Sequence, residues 1–226
     1  MNTKRILSLS VAASLACAMS ASAATSFGVS FLGRSAVTTL YRDETAGEVP
    51  QANWNSVNSG DPVTNGVSMP LVDSTGAFTD VRVFFQANDS WNSDGPTITP
   101  DDRLMKGIIK ANPSPNTAPT NGTERMTFTI TNLNAGTYDV LVYTTENGAN
   151  AQMNLSVGST TYFIIESNIF DGTFVQATST TPGSYDGASF ALFNAVAPAA
   201  NGTITITATK NGVNSQVNDG IGVAGI

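Results

Sequence analysis

Hydrophobic and polar residues alternate with a period of two through most of this chain. The clearest run is residues 203–209, where Ile204, Ile206 and Ala208 face one way and Thr203, Thr205, Thr207 and Thr209 the other. Residues 126–131 repeat it, with Met126, Phe128 and Ile130 opposed to Thr127, Thr129 and Thr131. Successive strand side chains point to opposite faces, so this alternation predicts half-buried strands; helical periodicity is almost absent. Further strands are predicted at residues 26–32, 81–85, 138–143, 153–157, 160–165, 174–178, 189–194 and 220–224. Gly158-Ser159 fits a two-residue hairpin turn with glycine first. Asn211-Gly212 and Asn134-Ala135-Gly136 supply further turn chemistry. On residues 138–143, Tyr138, Val140 and Val142 share one face while Asp139, Leu141 and Tyr143 share the other. Such a strand is either central and covered on both sides, or lines a groove.

Many short strands with threonine-rich outer faces and Asn-, Gly- and Ser-rich loops predict an all-β fold, an antiparallel β-sandwich with long polar loops. The one helical turn is expected at residues 101–109, where Pro100 precedes Asp101 and Asp102 is placed to cap. Residues 111–123, carrying Pro113, Pro115 and Pro119, read as a surface loop, because neither flank has enough strands for a separate core. At the start, Lys4 and Arg5 precede an apolar stretch at residues 6–19 and the small-x-small triplet Ala21-Ser22-Ala23. That order predicts a signal peptide at residues 1–23 and a mature single domain at residues 24–226, secreted or periplasmic. Lipid attachment at Cys17 is the weaker pattern, since Ser14 stands where such sites carry an aliphatic residue.

Composition narrows the chemistry. The chain has no histidine, and its one cysteine, Cys17, lies in the leader, so the mature protein has no disulfide framework. Triads built on His and zinc sites built on His or Cys are excluded, and no Gly-x-x-x-x-Gly-Lys phosphate loop occurs. Of the 10 basic residues two lie in the leader, leaving 8 against 17 acidic residues and a net charge of −9. Nucleic-acid binding needs phosphates neutralised by Lys and Arg, so a nucleic-acid partner is excluded, and an anionic membrane surface is disfavoured. After the leader no apolar run reaches the roughly 18 residues of a spanning helix.

Oxygen chemistry remains. Paired carboxylates support glycoside hydrolysis, although with 17 acids some pair is bound to meet that spacing. A structural calcium ion is the natural cofactor for oxygen ligands. With Ser90 as position one, Asn92, Asp94 and Asp101 fall at positions three, five and twelve of a calcium-loop spacing, and are the candidate ligands. The acids there serve equally well as turn formers and a helix cap. Both tryptophans sit in matching segments, Gln51-Ala52-Asn53-Trp54-Asn55-Ser56 and Gln86-Ala87-Asn88-Asp89-Ser90-Trp91-Asn92-Ser93. An indole plane among amides and hydroxyls suits stacking of a sugar ring; the alternative is that each ring folds inward and seals one end of the fold. The threonine ladders read as solvated strand faces, and the sequons at Asn88, Asn121, Asn154 and Asn201 suit exposed loops.

Three segments carry a resemblance: Ser26-Phe27-Gly28-Val29-Ser30-Phe31 near the start, Asn134-Ala135-Gly136-Thr137-Tyr138-Asp139-Val140-Leu141-Val142-Tyr143 in the middle, and Asp219-Gly220-Ile221-Gly222-Val223-Ala224-Gly225-Ile226 at the end. In that order the chain resembles secreted bacterial β-sandwich proteins related to galactose-binding-like jelly rolls and carbohydrate-binding modules. The resemblance implies a jelly-roll topology, pairing of the first and last strands, a structural calcium in many members, and a sugar site on loops or the concave face. The apolar helix and basic tail of sorted relatives is absent, so release rather than anchoring is expected.

The expectation is therefore an exported, non-catalytic module that binds a polysaccharide or other cell-surface or matrix glycan. Trp54, Trp91, Asn55, Asn92 and Tyr143 are the candidate ligand-binding residues. The alternatives are a structural or adhesive protein that self-associates through strand edges, and a carboxylate-dependent glycan-active enzyme.

Overall fold

The computed structural model describes residues 25–33, 40–58, 68–87, 89–111, 124–145, 150–166, 169–211 and 221–226. Residues 1–24 with Cys17, residues 112–123, and the sequons at Asn88 and Asn121 lie outside them. In chain order the strands are β1 (Val29–Leu32), β2 (Asn55–Asn58), β3 (Met69–Val72), β4 (Phe78–Gln86), β5 (Asp89–Asn92), β6 (Gly107–Ala111), β7 (Arg125–Thr131), β8 (Tyr138–Thr144), β9 (Ala151–Val157), β10 (Thr160–Glu166), β11 (Asp186–Gly187), β12 (Phe190–Val196), β13 (Ile204–Lys210) and β14 (Ile221–Gly225). One short helix, α1 (Pro100–Leu104), separates β5 from β6.

The strands form two sheets. The first runs β12-β8-β14-β1-β2, with β6 also on β14 and β5 on β6. The second runs β11-β10-β9-β13-β7-β4-β3. Pairing is antiparallel except between β1 and β2 and between β10 and β11. The first and last strands pair, with Ser30 opposite Gly225. The alternation read from the sequence sets the register: Thr207 lies opposite Thr127 and Thr205 opposite Thr129 on one face, while Ile206 meets Phe128 on the other. Gly158, at φ 58°, turns β9 into β10 so that Val157 pairs with Thr160.

The apolar faces of both sheets meet in one core. Phe31 of the first sheet packs against Phe85 and Phe128 of the second, each with ring centroids 5.3 Å from its own. Val140, Val142 and Val223 join from the first sheet, and Met153, Leu155 and Ile206 from the second. A second core lies on the opposite face of the first sheet. There Tyr143, Phe190, Ile108 and Ala224 are roofed by Leu40, Ala46 and Trp54 from the 40–54 loop, by Leu104 and Met105 from the helical turn, and by Phe170. β8 is thus the covered alternative of its two-faced pattern: it lies between β12 and β14, with Val142 in one core and Tyr143 in the other.

Two expected elements are corrected. Helix α1 ends at Leu104, short of the predicted residue 109, and residues 107–111 are strand β6. Thr99 caps the helix, with Asp102 completing a reciprocal capping box. Beyond it, the β-branched pair Ile108-Ile109 can bury on both faces of a strand, as no single helix face allows. Residues 174–178 make only an isolated bridge, Gln176 to Phe190. Val175 and Ala177 bond the backbone of Ser189 and Phe190, but the Asp186 carboxylate takes the N–H groups of Thr178 and, beyond it, Ser179, so no ladder continues.

Candidate functional site

The expected ligand-binding residues divide sharply. Trp54 is 8% exposed and donates its indole N–H to the Gln51 carbonyl at 2.8 Å. Asn55, at the start of β2, is a buried strut: its amide donates to the carbonyls of Gly28 and Val72 and accepts from the Val72 N–H, all at 2.9 Å. Tyr143 is buried beside Trp54, 6.0 Å between ring centroids, and its hydroxyl accepts the Glu48 N–H at 3.1 Å. Burial pushes that phenol up to about 12; the backbone N–H groups of Glu48 and Val49 oppose the shift, and the charges of Glu48 and Asp101 add to it. Trp54 and Tyr143 belong to the second core, while Asn55 ties β2 to Gly28 and to the end of β3. Only Trp91, 40% exposed on β5, and the half-buried Asn92 beside it remain at the surface.

The proposed calcium ligands are engaged with the fold. Asp101 Oδ1 accepts the Gly47 N–H at 2.7 Å, and Asn92 Oδ1 lies against Gly33. Among the described residues no group of three or more Asp, Glu, His or Cys side chains is placed to hold a metal ion. Nearby, Arg103 of α1 forms an ion pair with Glu44. Partial burial raises the Glu44 carboxyl, but hydrogen bonds from Arg103 and the Tyr41 N–H hold it below the ordinary range.

A cleft of about 620 Å³ lies where β8 and β10 end, walled by the 169–175 loop and by the residues between β11 and β12. Its apolar side is Ile165, Ile169, Phe170 and Val175; its polar side is Thr144, Thr145, Thr173 and Ser189, with Glu166 and Asp171 as its charged groups. The walls are tied together. Thr144 donates its N–H to the Ser189 carbonyl at 2.9 Å, Val175 donates to Ser189 Oγ at 2.8 Å, and Thr173 donates to Asp171 Oδ1 at 3.0 Å. Glu166, 3% exposed, accepts the Gly222 N–H of β14 at 3.1 Å, which joins the cleft to the other sheet. Thr145 Oγ1 is buried in the wall with no partner among the described residues, a desolvated hydroxyl that costs about 1–3 kcal/mol unless something reaches it.

None of these residues stood out in the sequence, although one signal was there. Continuing the alternation of residues 160–165 by one step puts Glu166 on the inward face with Ile164, and a carboxylate on an apolar register marks a special site. The loop acid Asp171 has no such signal; only the fold brings it into the same cleft as Glu166. Comparison with known protein families, with curated proteins and with solved structures finds no match to this chain. Among the described residues no helix is long and apolar enough to cross a membrane.

Proposed function

We propose that the protein is an exported, non-catalytic module of jelly-roll type that binds carbohydrate in the cleft at the ends of β8 and β10. One observation carries this reading: the cleft combines an aliphatic and aromatic wall with hydroxyls and two carboxylates, and has no basic residue in its lining. A sugar ring offers a C–H face for Ile169 and Phe170 and a rim of hydroxyl donors for acceptor-only carboxylates. The volume lies in the range of small-molecule sites, and the acidic lining selects against sulfated or phosphorylated glycans. A sugar hydroxyl reaching Thr145 Oγ1 would give that buried group the partner it lacks.

Affinity electrophoresis of the mature protein in gels of neutral polysaccharides tests this. Retardation is expected in at least one gel, weakened about tenfold or more by Asp171→Asn, which keeps the local turn but replaces one acceptor oxygen with a donor. Migration unaltered by every polysaccharide would overturn the reading. Two carboxyl groups in one cleft, Glu166 and Asp171, favour a second reading, a glycan-active enzyme; release of reducing ends from the retained polysaccharide would select it.

A further inference from the structure

We infer that the carbohydrate site is extended, with Trp91 as an outer stacking subsite, so that the preferred ligand is an oligosaccharide chain and not a single sugar. This rests on the carbohydrate reading of the cleft. The first observation is exposure: Trp91, Ile169 and Val175, at 40%, 42% and 49%, are large apolar side chains open to solvent, and the last two form the lip of the cleft. Apolar groups gathered at a cleft mouth mark a contact surface.

The second observation is that Trp91 and the loop that carries the lip lie on one side of the first sheet. Trp91 lies opposite Ile108 in the antiparallel β5–β6 pair, and directly opposed residues project from the same side of a sheet. Ile108 packs in the same core as Phe170, whose segment walls the cleft. The third is continuity. Past Asn92 the hairpin is held by the Ser93 N–H on the Lys106 carbonyl at 2.8 Å and by Lys106 Nζ on the Gly95 carbonyl at 2.8 Å. The loop then meets the lip: a Cβ built on Gly95 would lie 3.2 Å from Ile169 Cγ2. Four residues of extended chain span at most roughly 14 Å, so Trp91 sits within reach of a few linked pyranose rings from the lip. A chain anchored in the cleft would cross Ile169 and lay a later ring on the indole.

Titration calorimetry with soluble neutral β-linked gluco-, xylo-, manno- and N-acetylglucosamine oligosaccharides, each of two and six units, tests the inference. For the series that binds, the hexamer is expected to bind the wild type at least about tenfold tighter than the dimer. Trp91→Ala should reduce the hexamer to the affinity of the dimer and leave the dimer unchanged, while Trp91→Phe retains most of the gain. The hexamer should also quench indole fluorescence in the wild type and not in Trp91→Ala, with melting temperatures showing each variant folded. Equal affinity for both lengths, or a Trp91→Ala variant that keeps the advantage, overturns the extended site and leaves the cleft reading standing. No binding by either length in any series overturns both.

Discussion

The two tryptophan segments share a local sequence and have opposite fates. Each reads Gln-Ala-Asn, then Trp-Asn-Ser, and each borders a short strand, β2 or β5. Trp54 is buried because glycines from distant segments leave room for its ring. A Cβ at Gly28 would lie 2.7 Å from the indole, one at Gly47 3.2 Å, and one at Gly225 3.6 Å. Gly47, at φ +99°, is further constrained by its backbone, since L side chains rarely adopt that region. Trp91, on β5, stays 40% exposed, and the glycine lying against it, Gly33, meets its backbone and not its ring. The difference teaches that the fate of an aromatic ring is set by what the fold brings to it, and here the deciding residues are the ones without side chains.

This contrast can be broken by mutation. Trp54→Ala should cost about 3–5 kcal/mol in a denaturant titration, the usual range for deleting a buried tryptophan. Trp91→Ala, at the other end of the scale, should stay within about 0.5 kcal/mol. Next in size is an alkaline dependence. The folded state holds the Tyr143 proton more tightly, so its contribution is fully present below the unfolded pKa of about 10 and is lost as the pH rises towards about 12. Stability should fall by roughly 2–3 kcal/mol over that interval from this group, and Tyr143→Phe should remove that part of the pH profile. Smaller still, Gly28→Ala should destabilise by about 1–3 kcal/mol by pushing on the indole. If Gly28→Ala proved neutral by calorimetry, the glycine cradle would not be what seats Trp54.

The candidate site was less legible than the frame. Alternation located ten strand positions, and nine lie in strands, because a period of two is a local property of the pleat. The short strands β2, β3 and β5 escaped it: Asn55-Ser56-Val57-Asn58 has too few apolar residues to show a period. Strand β6 reads in the sequence as the end of a helix, because buried residues on both faces abolish the alternation. Of the expected ligand-binding residues, Trp91 is legible in the sequence as a polar-flanked aromatic and is exposed in the fold. Asn55 and Tyr143 read in the sequence as polar groups free for a ligand, whereas in the fold their hydrogen-bonding groups are used by Gly28, Val72 and Glu48.

Residue type and near neighbours alone carry the strand-rich class, the faces of the longer strands, and the absence of histidine and of any cysteine but Cys17. Only the tertiary structure decided that the first sheet is covered on both faces, that Trp54 is enclosed while Trp91 is open, and that Glu166 and Asp171 share a cleft with Thr145 and Ser189. These depend on contacts between residues far apart in the chain. No local period encodes them, because the energy that selects them comes from burying surfaces against partners that folding alone supplies.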